Sequence, residues 1–164
     1  MRSQRAVPAL VVATTIAVLG LAVVGPAASA DPQDVPRAQL AAVRAAMARY
    51  HDVDEAVADG YELLDVCFDS AAGGMGYHYL KGVDASLDPL APEALVYEPS
   101  EHGLRLVGVE YIVPLGLSNS PPEVLDQSLH ANPGLGLWVL HAWIWQPNPA
   151  GMFADFNPNV ADCP

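Results

Sequence analysis

The chain is short of basic residues. Among its 164 residues there are 7 Lys or Arg against 19 Asp or Glu, which gives a formal net charge of −12. A nucleic-acid-binding surface needs cations to replace the phosphate counterions, and docking on anionic lipid headgroups needs a basic segment. The shortage therefore argues against both partners. Charged residues make up only 16% and hydrophobic residues 52%, which is too apolar for a disordered acidic tail.

Several motifs of common enzymes are missing as well. There is no Gly-x-Ser-x-Gly elbow and no Gly-rich phosphate loop followed by Lys, so neither a serine esterase nor a P-loop enzyme is indicated. There is also no His-Glu-x-x-His, no His-x-His and no EF-hand loop. A metal site would therefore have to be assembled from ligands that lie far apart in the sequence.

The N-terminal segment has the composition of a secretory signal peptide. Arg2 and Arg5 precede an almost wholly apolar run over residues 7–24, and an Ala-Ser-Ala motif follows at residues 28–30. This order predicts a signal peptide over residues 1–30 that is cleaved after Ala-Ser-Ala. An uncleaved membrane anchor is the alternative, since the apolar run approaches the length of a span.

Removal of that segment would leave a single secreted domain, residues 31–164, with 134 residues and a net charge of −14. It has no second long apolar run, so we expect it not to bind membranes. Because an exported chain meets oxidising conditions, we expect its two cysteines, Cys67 and Cys163, to form a disulfide worth about 4 kcal/mol. A redox pair or thiolate metal ligands are alternatives that the absence of Cys-x-x-Cys disfavours.

The mature chain changes character at Gly60. Apolar residues spaced three or four apart predict a helix over residues 37–50, and a shorter helical stretch follows at residues 53–58. Beyond it, five apolar runs bounded by Gly, Pro and Asp predict strands at residues 61–68, 75–80, 94–98, 104–113 and 137–145. Helices followed by antiparallel strands indicate the α+β class, with N-terminal helices packed on a curved antiparallel β-sheet or small β-barrel.

Three polar residues stand on predicted strands among apolar or aromatic neighbours. Strand alternation places His141 with Leu137, Val139 and two tryptophans, and it places Glu110 in phase with Leu104, Leu106, Gly108 and Ile112. His78 lies between two tyrosines in a third strand. Two imidazoles and one carboxylate are common ligands of Zn²⁺, Cu²⁺, Fe²⁺ and Mn²⁺. We therefore predict a divalent-metal site at His78, Glu110 and His141, which His130 joins from the loop before the last strand.

Other interpretations of these residues stay open. His141 could be a core histidine bonded to a carbonyl, Glu110 could pair with Arg105 or Lys81, and His130 could be only a loop residue. The same groups could also line a metal-free polar pocket or have unrelated structural roles. His51 and His102 lie between elements and are weaker candidates.

Further residues are candidates for the surroundings of the site. Glu98, at the end of a strand, could be a ligand, a partner of a His ring nitrogen or an exposed strand end. Tyr77, Tyr79 and Trp143 are predicted to line a pocket. The three tryptophans fall on both strand faces, which favours core packing over a sugar-stacking platform. No catalytic residue is assigned.

The segments MGYHY, DPLAPEALVYEP, LRLVGVEYIVP and LHAWIWQPNPAGMFADFNPNV, followed by Cys, resemble a family of small exported bacterial proteins of uncharacterised function. The resemblance runs from Tyr50 to Cys163. The segments around His78, Glu98, Glu110 and His141 form the recurring pattern. It implies one compact exported domain and carries over no catalytic role.

Three functions remain from the sequence. The first is a secreted acidic domain that binds a divalent metal through His and Glu on strands, with hydrolysis or oxidation as its chemistry if an open coordination position faces a pocket. The second is a metal-free secreted module that binds a small ligand or a protein partner. The third is a structural protein that interacts with the cell envelope.

Overall fold

The computed structural model describes residues 34–162. The predicted signal peptide, residues 1–30, lies outside this range. Two α-helices joined by a 3-10 turn are followed by eight strands. The helices are α1 (Asp34–Met47) and α2 (Val53–Ala58), with the 3-10 turn at Ala48–His51 between them. The strands are β1 (Glu62–Ser70), β2 (Gly73–Leu80), β3 (Ala94–Ser100), β4 (Gly103–Pro114), β5 (Glu123–Val124), β6 (Gln127–Ser128), β7 (His130–Asn132) and β8 (Leu137–Ala142).

The apolar residues whose helical spacing predicts the N-terminal helix are buried in the structure. Val43, Met47 and Tyr50, which lie three or four residues apart, are all less than 5% exposed. The α-helix begins three residues before the predicted start, and its predicted last turn tightens into the 3-10 turn. The Asp52 side chain accepts a hydrogen bond of 3.0 Å from the amide of Asp54, so it caps α2.

All five predicted strands are present, and they pair in an antiparallel sheet of six strands. The strand order is β1-β2-β3-β4-β8-β7, while β5 and β6 form a separate two-stranded pair. The sheet is curled into a half-barrel, with β1 and β7 at its edges. The described chain is mostly β with few helices, so the predicted α+β class fits only loosely. No helix among residues 34–162 combines the length and apolarity that crossing a bilayer would require.

The two faces of the sheet have different environments. One face packs against the helical segment, where the Tyr97 hydroxyl donates a 2.6 Å hydrogen bond to the Tyr50 carbonyl. Its core includes Leu95, Tyr97, Val109, Tyr111, Leu140 and Ala142, together with Val43 and Met47. The opposite face carries the predicted metal ligands. Alternation along β8 is confirmed, since Leu140 and Ala142 belong to the core while Leu137, Val139 and His141 border a cavity on the other side.

A β-bulge in β4 corrects one predicted face. The pairing of β3 with β4 shifts between Val96 and Tyr97, so Val96 faces Gly108 while Tyr97 faces Leu106. The extra residue reverses the alternation beyond that point. Leu104 and Leu106 therefore pack into the helix-facing core rather than beside Glu110, contrary to the prediction.

The C-terminal tail closes over β2 because glycines leave room for it. A Cβ atom at Gly73 would lie 2.5 Å from backbone atoms of Asn157 and Pro158, and the Gly73 φ of +125° favours glycine. The amide of Asn157 donates a 2.9 Å hydrogen bond to the carbonyl of Gly74. The glycines at residues 73 and 74 thus allow close backbone packing between β2 and the tail.

Only one of the two cysteines of the predicted disulfide lies among the described residues. Cys67 lies in β1, is partly buried and is not a free thiol. Cys163, its predicted partner, lies outside the described residues. The Cys67–Cys163 bond therefore stays a prediction.

Glu93 is a buried acid that lies outside the predicted metal site. The Glu93 side chain is 3% exposed, and its Oε2 atom accepts a 3.0 Å hydrogen bond from the Ile112 amide. Burial raises the pKa of Glu93 to about 7, although the Ile112 N–H bond opposes the shift. The folded protein therefore holds a proton that the unfolded chain releases near pH 4.5. Its contribution to stability is present below that pH and lost as the pH rises to about 7.

We expect Glu93→Gln to remove this decrease in stability with rising pH. Between pH 5 and pH 8 the metal-free wild-type protein should lose on the order of 2 kcal/mol more unfolding free energy than the variant. Urea unfolding of both proteins at the two pH values measures the difference, in which the titrations of groups that do not interact with Glu93 cancel. Equal losses in the two proteins would contradict the role assigned to Glu93.

Candidate metal centre

Three strands bring His78, Glu110 and His141 to the same face of the sheet. Glu110 on β4 lies directly opposite His141 on β8, and it lies opposite Ala94 on β3. His78 on β2 is opposite Val96, so β3 separates it from the other two residues. The curl of the sheet lets the His78 side chain reach across β3. We call these three residues the His–Glu–His group.

The polar atoms of the His–Glu–His group converge on one point. The Nε2 atoms of His78 and His141 are 3.4 Å apart. Nε2 of His78 lies 3.3 Å from Oε2 of Glu110, and Nε2 of His141 lies 3.7 Å from Oε1. One ligand atom from each residue can be chosen so that all three lie within 4.8 Å of one another. The group therefore offers a metal ion two imidazole nitrogens and a carboxylate oxygen.

All three side chains are buried. His78, Glu110 and His141 are 3%, 7% and 2% exposed. The cations proposed as alternative partners of Glu110 are engaged elsewhere: Arg105 donates to Glu98, and Lys81 lies over the Tyr61 ring at 5.4 Å. A buried carboxylate needs a compensating positive charge. Among the described residues, the groups beside Glu110 that can carry this charge are the imidazoles of His78 and His141.

The two histidines respond differently to this environment. Burial lowers the pKa of His78, and the Glu110 carboxylate opposes the shift only in part. Burial also acts to lower the pKa of His141, but Glu110 and Asp155 together outweigh it and raise that pKa. The neutral form of His78 is therefore favoured, which is the form that binds a metal ion.

Aromatic rings hold the two imidazoles in place. The Trp143 ring stacks on His141 with centroids 5.6 Å apart and an interplanar angle of 11°. The Trp143 indole N–H donates a 2.6 Å hydrogen bond to the Ala154 carbonyl, which orients the ring. Phe68 packs edge-on against His78 at 5.6 Å. Trp143 thus supports His141 from the side instead of lining the cavity as predicted.

His130 lies outside the His–Glu–His group. It belongs to a short strand, β7, and not to the predicted loop. Its side chain is 46% exposed, and its Nε2 atom lies 3.1 Å from Oδ2 of Asp155. The prediction that His130 is a fourth ligand is therefore not supported by its position. Its contact is with a carboxylate that itself approaches His141.

Tyr77, Tyr79 and Glu98 do not line the cavity at the His–Glu–His group. The two tyrosines flank His78 in sequence, so alternation turns them to the opposite side of the sheet; Tyr79 packs on Tyr97 at 5.1 Å. Glu98 is 2% exposed, and its carboxylate accepts hydrogen bonds from Arg105 and from the Ala161 amide. Its role in the fold is to anchor the C-terminal tail to the sheet.

Asp155 is a residue of the site that no sequence pattern predicts. Its Oδ1 atom lies 3.7 Å from Nδ1 of His141, beyond hydrogen-bonding distance. Both atoms are buried, and neither has a hydrogen-bond partner among the described residues. Asp155 comes from the Pro- and Asn-rich tail, where no strand or helix period predicts which way a side chain points. The bridge between Gly74 and Asn157 brings it to the site.

Comparison with known proteins adds no assignment to these residues. No family model, no curated protein and no solved structure matches the chain. The resemblance to small exported bacterial proteins therefore stays a prediction from sequence motifs. The chemistry of the His–Glu–His group is argued from its own geometry.

The position of Asp155 predicts an effect on metal affinity. A histidine that binds metal through one ring nitrogen usually donates the other N–H to a carboxylate, which fixes its tautomer and orientation. Because Asp155 lies 3.7 Å from Nδ1 of His141, we expect Asp155→Asn to weaken divalent-metal binding by about 10-fold, the lower end of the range for such carboxylates. Titration of the metal-free protein with Zn²⁺ against a competing chelator measures this change. Asp162→Asn, a change of an exposed acid in the same tail, is the control and should bind as the wild type does.

Proposed function

We propose that the chain is a secreted protein whose single domain binds one divalent cation through Nε2 of His78, Nε2 of His141 and the carboxylate of Glu110. The observation that carries the proposal is the convergence of these buried ligand atoms within 4.8 Å. They come from three separate strands, so a chance cluster of surface acids does not explain them. The sequence supports export through its basic, apolar and Ala-Ser-Ala segments.

The spacing of the ligand atoms favours Zn²⁺ among the candidate ions. Metal–ligand bonds of about 2.0–2.1 Å in a tetrahedron place neighbouring ligand atoms about 3.3–3.4 Å apart, whereas an octahedron places them about 3.0 Å apart. The Nε2 atoms of His78 and His141 are 3.4 Å apart, and Oε2 of Glu110 lies 3.3 Å from Nε2 of His78, so two of the ligand separations match the tetrahedral value. The 3.7 Å contact of His141 is with the other carboxylate oxygen, Oε1. Two histidines and a glutamate with an open fourth position are a ligand set found in catalytic zinc sites.

Hydrolysis is the reaction that such a centre would support best. A bound Zn²⁺ acts as a Lewis acid and lowers the pKa of coordinated water. The protein's residues would do the rest: His78, His141 and Glu110 set the coordination geometry, and the charge of Asp155, 3.7 Å from Nδ1 of His141, favours a proton on that nitrogen. A cavity borders all three ligands, so a substrate could reach a metal ion that they hold.

Elemental analysis of protein produced without a His-tag tests the proposal. We expect one equivalent of metal per chain after dialysis against Zn²⁺ and none after chelation. Substitution with Co²⁺ should give the intense visible absorption of a tetrahedral site. A protein that retains no metal would overturn the proposal, and a pale octahedral spectrum would overturn the zinc-type geometry.

A further inference from the structure

A cavity of about 390 Å³ lies against the His–Glu–His group. Its polar lining consists of that group together with Asn132 and Asp155. The remaining wall is apolar and includes Phe68, Met75, Ile112, Leu137, Val139 and Phe156. We call this cavity the apolar pocket. A concave apolar wall beside a few convergent polar groups is the usual design of a small-molecule site.

The mouth of the apolar pocket is also apolar. Leu64 on edge strand β1 is 40% exposed, and Leu135, in the turn between β7 and β8, is 58% exposed. Contact of such exposed apolar surface with an apolar ligand removes it from water and lowers the free energy. Both leucines lie at the opening through which a ligand would enter the apolar pocket. The chain as a whole is strongly negative. The rim therefore favours an apolar entrant over a polar one.

The cavity has polar groups at the His–Glu–His group and an apolar wall elsewhere, and this contrast indicates the chemistry of its ligand. We propose that the apolar pocket binds a small molecule with one oxygen-donor head, which reaches the metal ion, and an apolar body, which fills the cavity. This inference rests on the metal site proposed above. Because a cavity of about 150 Å³ holds a benzene molecule, one of 390 Å³ accommodates on the order of ten to fifteen heavy atoms. Sugars and nucleotides are excluded, since their hydroxyls and phosphates would face hydrocarbon without partners.

Straight-chain alkyl hydroxamates test this directly, because their head group binds Zn²⁺ and only the tail length changes. Calorimetry on the zinc-loaded protein should show affinity rising about three- to fourfold per added methylene from acetohydroxamate to octanohydroxamate. The rise should level off once the tail fills the cavity. Affinity that does not depend on tail length would overturn the inference.

Two leucines of equal exposure provide a matched pair of variants. Leu135 and Leu117 are both 58% exposed, but only Leu135 borders the apolar pocket. We expect Leu135→Ser to weaken octanohydroxamate binding several-fold more than acetohydroxamate binding. Leu117→Ser should change neither. Equal effects of the two substitutions would contradict the assignment of the mouth.

The metal-free protein separates failure of this inference from failure of the metal site. The 1-alkanols carry the same tails with a head that binds Zn²⁺ poorly. If Zn²⁺ binds but the hydroxamate series is flat, the ligand class is wrong and the metal site stands. If no Zn²⁺ binds, both proposals fail. Alkanol binding to the metal-free protein with the full dependence on tail length would then identify a metal-free apolar binding module.

Discussion

Replacing His141 by alanine is expected to lower Zn²⁺ affinity by more than 100-fold while the protein remains folded. Loss of a carboxylate that only orients a ligand already costs 10- to 100-fold, so loss of the ligand itself must cost more. His141 is 2% exposed, and its Nε2 atom lies within 4 Å of both other ligand residues. No neighbouring side chain of the group can replace it. Competition titration with a chelator measures the affinity, and far-UV circular dichroism checks the fold.

His78→Ala should have the same effect, because both imidazoles approach the same carboxylate. His102→Ala is the control, since His102 is exposed in the turn between β3 and β4 and should bind metal as the wild type does. A fully loaded His141→Ala protein would show that the metal binds elsewhere. Loss of metal in His102→Ala as well would point to a nonspecific effect on the fold.

Glu110→Gln is expected to change stability in opposite directions with and without metal. In the metal-free protein Glu110 is 7% exposed among imidazoles, and the isosteric amide keeps the packing while it removes the free-energy cost of a buried charge. The metal-free variant should therefore be as stable as the wild type or more stable. With Zn²⁺ at a thousand times its dissociation constant, the wild type should gain about 4 kcal/mol. That gain corresponds to an increase in Tm on the order of 10 °C.

At the same Zn²⁺ concentration the Glu110→Gln variant should gain little, because an amide oxygen is a weak substitute for the carboxylate. Thermal unfolding of both proteins with Zn²⁺ and with a chelator gives the four values needed. Glu101→Gln changes an exposed acid and should retain the full metal-dependent gain. An equal gain in wild type and Glu110→Gln would remove Glu110 from the ligand set. Strong destabilisation of the metal-free variant would assign it a structural role instead.

Local pattern predicts much of this fold. The Leu40–Tyr50 spacing marks the buried side of the N-terminal helical segment, and alternation over residues 137–145 separates the core residues of β8 from His141. These predictions succeed because side-chain direction in a helix or strand depends on the nearest few residues. The same rule, applied to residues 77–79, would have kept Tyr77 and Tyr79 out of the pocket. The prediction that both tyrosines line the pocket is wrong because adjacent residues of a strand point to opposite faces of the sheet.

Other errors have long-range causes. The bulge in β4 depends on how β3 pairs with it, so Leu104 and Leu106 change face without any local signal. His130 lies in β7 because residues 133–136 turn the chain back onto β8, where it pairs with Val139. Glu98 is buried because Arg105 and the Ala161 amide both meet it. Each of these contacts joins segments whose pairing no short window of sequence specifies.

The sequence by itself determined the acidic charge, the order of helices and strands, and the placement of His78, Glu110 and His141 on apolar strands. Only the tertiary structure decided that these three meet within 4.8 Å, that Asp155 joins them and that His130 does not. The reason is physical. Convergence across β3 depends on the curl and register of the whole sheet, and Asp155 arrives through a tail docked on glycines eighty residues earlier. Residue types and local periods specify which groups are available, and long-range packing specifies which of them share a site.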